Sequence, residues 1–234
     1  MPAMWSALDH GVIARARTES LWNLHLWDLR KFSGRKDGRV DERPYGGGPG
    51  MVLRPQPLYE CLQAVQQQSP QPWVIQLDPR APTLSHSHLK QLITKQHLVL
   101  VCGRYEGIDQ RFTDHFVNQS ISIGPFVCSG GDLPAMILTD SLIRLLPGTL
   151  GNPESSRHES YQDTLDHPHY TRPAVFHGIP VPEVLRSGND ALIAQWRRMH
   201  ALGSTWRNHP ELMPRPLSAT DAELLAQYQK LYCC

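Results

Sequence analysis

Residues 120–151 read SISIGPFVCSGGDLPAMILTDSLIRLLPGTLG. The first part, 121–127, is apolar and strand-like, Ser129-Gly130-Gly131 makes a turn, and 133–146 runs on as one helical stretch stopped by Pro147-Gly148. Paired glycines between a buried strand and a helix let the backbone take φ > 0 and come close to a bound molecule. Ser129 or Asp132 is placed to cap the helix, and Leu133, Met136, Ile137 and Leu145 recur at helical spacing. Asp140 and Arg144 stand one turn apart in this run. They fit either an intrahelical ion pair on a wet face or a reactive site that uses Arg144.

Outward from this stretch, apolar segments alternate with helical ones. Residues 58–67 fit a helix, Trp73–Leu77 a buried strand, 87–96 a helix, and 98–102 the most apolar strand of the chain. That alternation predicts a parallel α/β sheet with ligand loops at the carboxyl ends of its strands. Three such ends, Leu77-Asp78-Pro79, Gly103-Arg104-Tyr105-Glu106-Gly107 and the segment 123–131, are expected to converge on one pocket. Residues 4–18 read as a helix with Leu8, Val12, Ile13 and Ala16 on one side. Residues 31–43 are polar and basic (Lys31, Arg35, Lys36, Arg39), either a solvated loop or a phosphate contact. The glycine run 46–50 lacks the Gly-Lys-Ser/Thr ending of a nucleotide P-loop.

After Gly151 the chain turns polar, and 152–165 reads as a flexible linker. Beyond it helices dominate: 190–202, and a last helix opened by a Thr220-x-x-Glu223 capping box and running through Tyr232. Arg197, Arg198 and Arg207, with Trp196 and Trp206, are candidates for gripping nucleic acid by phosphate contact and stacking; the alternative reading buries the tryptophans. His158, His167 and His169 with Asp166 match no standard ligand spacing, so no metal is assigned.

Lys and Arg number 23 against 22 Asp and Glu, a net charge of +1, so any nucleic-acid contact must rest on local charge. No run of about 18 apolar residues is present, which excludes a helical membrane span. Five scattered cysteines suggest free thiols and a cytoplasmic setting rather than a disulfide framework.

Four blocks are distinctive together: ERPYGGGPGMV at 42–52, LVLVCGRYEGIDQR at 98–111, the stretch quoted first, and DHPHYTRP at 166–173 leading into VPEVLRSGN. In this order they resemble the bacterial tRNA (guanine-N1)-methyltransferases, over almost the whole chain. The resemblance implies an α/β fold with a parallel sheet tied in a deep trefoil knot, of the SPOUT type, plus a small helical C-terminal domain. Its domains would be a knotted donor-binding domain at 1–151, the linker at 152–165 and a tRNA-recognition domain at 166–234. It further implies S-adenosyl-L-methionine as methyl donor, tRNA as acceptor, and a homodimer whose sites are completed across the subunit interface, with the glycine run at the dimer contact.

Carried over residue by residue, donor binding falls to Leu77, Asp78, Pro79, Gly103, Arg104, Tyr105, Glu106, Gly107, Ile123, Gly124, Phe126, Cys128, Gly130, Gly131 and Pro134. Arg144 is matched with the partner of guanine O6, Glu106 with the acid beside the donor's methionine portion, and Glu159 with the base at N1. The chain departs from the family pattern at Asp78 (usually Ser), Pro125-Phe126 (Asp-Tyr), Asp132 (Glu) and Glu159 (Asp). Pro2-Ala3-Met4-Trp5 matches only the end of the family's opening strand, so that strand is expected to be missing, through a start placed downstream or a shortened gene. With these departures, the alternative function is a catalytically impaired RNA-binding descendant.

Overall fold

The structure, a computed structural model, describes residues 2–151 and 160–232. It divides into two units, 1–151 and 152–234. The first is built on three parallel strands in the order β4-β3-β5, where β3 is Trp73–Leu77, β4 Leu98–Val101 and β5 Gln119–Ile121. Ile75 is central, in register with Leu100 on one side and Gln119 on the other.

Strand β3 is buried on both faces because its side chains alternate between two cores. Ile75 and Leu77 join Trp5, Leu8, Ile13 and Ala16 from the N-terminal segment and Ala135, Leu138 and Leu142 from helix α5 (Asp132–Ile143). Val74 faces the other way, toward Leu58 and Leu62 of α2 (Pro55–Gln68) and Phe112 of α4 (Gln110–Phe116). On that side Gln76 is also buried, and its Oε1 accepts from Thr113 Oγ1 at 2.7 Å, so the polar group is satisfied.

The N-terminal segment is not one helix over 4–18. A 3-10 stretch, Pro2–Asp9, gives way to α1 (Gly11–Thr18), with Gly11 at φ +66° where a helix cannot pass unbroken. Val12 is accordingly exposed, while Leu8, Ile13 and Ala16 are buried. Strands β1 (Asp41–Glu42) and β2 (Val52–Leu53) pair antiparallel around the glycine run. Helix α3 is His86–Leu92, shorter than expected.

The quoted stretch also departs from expectation. The ladder stops where β3 stops, at Leu77 opposite Ile121. From Ser122 on, the chain pairs briefly with Thr83, and 123–128 is loop rather than strand. Neither Ser129 nor Asp132 caps α5: the N-cap is Gly131, without a side-chain bond. Leu133 and Ile137 face outward, the buried side being Ala135, Leu138 and Leu142.

Gly130 and Gly131 serve by close approach, not by positive φ; Gly131 sits at φ −75°. A Cβ on Gly131 would lie 2.7 Å from Cys102 Cα and 2.8 Å from Gly103 N. The contact is backbone on backbone, closed by Gly131 N donating to Gly103 O at 2.7 Å. Gly131→Ala is therefore expected to destabilise the first unit by about 1–3 kcal/mol through overpacking, read from urea unfolding. Wild-type stability would contradict the close approach.

In the second unit, a short hairpin of β6 (Val175–Phe176) and β7 (Ile179–Pro180) precedes α6 (Glu183–Arg186). Helices α7 (Asp190–Asn208) and α8 (Ala219–Tyr232) then share a core of Met199, Leu202, Leu224, Leu225 and Tyr228. Gly203 lies directly against the Tyr228 ring. The cap of α8 is not Thr220, which lies inside the helix, but Ser218, whose Oγ accepts from Asp221 N at 3.0 Å. Arg198 grips Asp221 with two bonds, 2.9 and 2.7 Å, so this arginine is occupied within the unit.

Candidate active site

The carboxyl ends of the three central strands open into one cleft. Leu77, Asp78 and Pro79 follow β3; Gly103, Arg104, Tyr105, Glu106 and Gly107 follow β4; Ile123, Phe126, Cys128, Gly130, Gly131 and Pro134 follow β5 and begin α5; all of them line it. Gly124 is not on the lining: its N and O are both tied to Ser122 Oγ, at 3.2 and 2.9 Å. Gln76, Arg80, Ile108, Ile121 and Ser122 also line the cleft, outside the three strand ends expected to form it.

The middle loop is fixed from outside the sheet. Glu106 N donates to Met51 O and Leu53 N to Gly107 O, both at 2.9 Å, so β2 and the residue just before it clamp both ends of the Glu106-Gly107 pair. Tyr105 takes φ +58° in this tight turn. Gly50, next to Met51, has φ +81°, and any Cβ there would strike the Glu106 side chain.

The charges on the walls are mostly cancelled in pairs. Asp78 accepts from Arg80 Nη2 at 2.7 Å and Nε at 3.1 Å, and from Gln76 Nε2 at 3.2 Å. The Arg80 guanidinium holds the Asp78 carboxyl below the usual carboxylate range. Asp132, buried in the first turn of α5, accepts from Arg104 Nη2 at 2.6 Å and from Trp5 Nε1 at 3.3 Å. Burial pushes its carboxyl up, but the Trp5 bond and nearby positive charge, Arg104 included, together more than offset this and leave it lowered. Glu106 is the remaining carboxylate on the lining, and no ion pair to it occurs among the described residues. The cleft thus keeps one net negative group, which suits a cationic ligand. Burial pushes the Cys102 thiol up to about 12 and the Cys61 thiol to about 11, so both serve as packing and not as nucleophiles.

A profile described as tRNA (Guanine-1)-methyltransferase TrmD matches residues 1–215. The chain belongs to this family. Proteins named tRNA (guanine-N(1)-)-methyltransferase are similar throughout: that of Chromobacterium violaceum is 44% identical over 237 residues, covering 98% of this chain and 93% of its own length. That of Aeromonas salmonicida is 45% identical over 232 residues (97% and 93%). That of Dehalococcoides mccartyi is 43% identical over 223 residues (94% and 90%).

Within this family member, the residues matched with catalysis are not all in the cleft. Glu106 lines it. Arg144 does not: it caps the carboxyl end of α5, its N donating to Asp140 O at 3.1 Å, while the amino end of α5 touches the cleft. Twelve helical residues place those ends about 18 Å apart. Glu159 lies outside the described residues, as does His158. Asp166, His167 and His169 bring their ligand atoms within 4.8 Å of one another. Their contacts are those of a closed loop: His169 Nε2 bonds Asp166 Oδ2 at 2.9 Å and His167 N donates to Oδ1 at 2.7 Å. Trp196 is only half-buried, its ring 4.0 Å from that of His200 and 6.1 Å from that of Tyr170. No helix among the described residues is long and apolar enough to cross a membrane.

Proposed function

We propose that this chain is an S-adenosyl-L-methionine-dependent methyltransferase acting on N1 of the guanosine immediately 3′ of the tRNA anticodon. The observation that carries the donor assignment is the charge balance of the cleft: two guanidinium–carboxylate pairs and one further carboxylate, Glu106. The donor has a sulfonium and an ammonium, and Glu106 is suited to the latter. The family relationship supplies the acceptor, since the relatives are named for guanine N1 of tRNA.

The donor supplies an activated methyl group; the chain must do the rest. Neutral guanine holds a proton on N1, so a carboxylate has to take it, the role assigned to Glu159. Negative charge then spreads to O6, where the planar guanidinium of Arg144 is placed to stabilise it.

Arg144 stands at the end of α5 away from its own chain's cleft, which favours a second copy. Leu133 and Ile137 are exposed on α5, and Arg144 falls on the same helical stripe, eleven residues on from Leu133. A partner covering that stripe would bring Arg144 to a foreign cleft. A two-fold homodimer gives both copies the same arrangement. The trefoil knot of the first unit and tRNA recognition by residues 166–234, through Arg197, Arg207 and the half-buried Trp196, complete the proposal. The protein is placed in the cytoplasm, where tRNA is modified.

Incubation with labelled donor and an unmodified tRNA transcript carrying guanosine at that position is expected to yield 1-methylguanosine. No product from protein that binds the donor would overturn the assignment in favour of an impaired descendant.

A further inference from the structure

Asp132 was expected only to cap a helix, yet it is buried and makes no cap. Its two carboxylate oxygens are held from different sides: Oδ1 by Trp5 Nε1 at 3.3 Å, Oδ2 by Arg104 Nη2 at 2.6 Å. The Arg104 bond is short and charge-assisted, the strong kind. Arg104 itself lies half-exposed on the cleft wall. Its stem passes Gly130 so closely that a Cβ there would sit 3.3 Å from Arg104 Cγ and 3.4 Å from Gly103 O. Trp5, Asp132 and the glycine pair therefore confine the stem and one nitrogen of the guanidinium. An arginine has five N–H donors, so others remain for the cleft.

The chemistry of the neighbourhood suggests what those donors meet. Glu106 stands two residues on, across the tight turn at Tyr105. A carboxylate and a guanidinium on the lining of one cleft match the ammonium and carboxylate of an α-amino acid. An arginine without a counter-charge would also repel a sulfonium; the Asp132 pair removes that penalty and keeps the directional N–H groups.

We propose that Asp132 is a positioning residue, holding Arg104 as the receptor for the carboxylate of the donor's methionine portion; this rests on the donor assignment above. Freed of Asp132, Arg104 would be an ordinary surface arginine that must be ordered anew at each binding event. Asn at 132 keeps the size and can still accept from Trp5, but it turns an amide N–H toward the guanidinium or leaves it with a weaker neutral acceptor. Glu at 132, the residue usual in the family, preserves the charge.

The test is calorimetric titration of the full-length protein with two ligands: S-adenosylhomocysteine, and 5′-methylthioadenosine, which shares the nucleoside and thioether but lacks the amino acid. Asp132→Asn and Arg104→Ala are each expected to weaken S-adenosylhomocysteine about tenfold or more, with methylthioadenosine changed by less than about twofold. Asp132→Glu should recover most of the loss. The double variant should bind no worse than the weaker single one, because both remove the same contact. Equal weakening of both ligands would make Asp132 a merely structural group and overturn the proposal. So would unchanged binding by Arg104→Ala, which decides the matter even if Asp132→Asn fails to fold, since Arg104 is half-exposed. Wild-type protein that binds neither ligand would instead sink the donor assignment itself.

Discussion

Arg144→Ala should lower the methyl-transfer rate constant by about 100-fold or more while leaving donor affinity within about twofold. The size follows from the charge that collects on guanine O6 as N1 loses its proton: a planar, permanently charged donor aimed at that oxygen does most for the transition state. The selectivity follows from the fold. Arg144 sits at the carboxyl end of α5, about 18 Å along the axis from the end that touches the cleft. Arg144 is not on the lining of its own chain's cleft, and in a partner's site its proposed contact is with the acceptor base and not the donor. Single-turnover methylation of a tRNA transcript, alongside a donor titration, separates the two quantities. Turnover retained at the wild-type rate would remove Arg144 from its role.

Glu159→Gln is expected to cost about 10²–10⁴ in rate, the usual worth of a positioned general base. Glutamine keeps the shape and loses the ability to take the N1 proton, so donor and tRNA binding should persist. Glu159→Asp should preserve or raise the rate, because it restores the length of acid usual in the family. The pair of variants is informative together: a harmless Glu159→Gln would move proton removal to another group, with Asp163 and Asp166 the next to test.

Much of this architecture was legible in the chain. Strand β3 was read at its true bounds, since Val74, Ile75 and Leu77 are apolar on both faces as a central parallel strand must be. The convergence of three strand ends followed from the α/β alternation, and nearly every residue assigned to the donor lies on that cleft. What stayed hidden depended on long-range partners. Residues 123–127 are apolar enough for a strand, but β3 has already ended at Leu77 and offers no ladder. Val12 fits a helical stripe with Leu8, yet Gly11 at positive φ breaks the phase between them. The link from Asp132 to Trp5, 127 residues apart, has no local signature at all. Thr220-x-x-Glu223 looked like a cap because the motif is common; Ser218-x-x-Asp221 was the one that closed.

The claim on which the mechanism turns is that the cleft of one protomer works with Arg144 of its partner. Coexpression of differently tagged Glu106→Gln and Arg144→Ala chains, followed by tandem purification, isolates the mixed dimer. Each variant alone should be nearly inactive. The mixed dimer contains one intact site, formed by the cleft of the Arg144→Ala chain and the arginine of the other, so it should methylate tRNA at about half the wild-type rate. A mixed dimer as inactive as its parents would place cleft and arginine in the same chain and contradict the account.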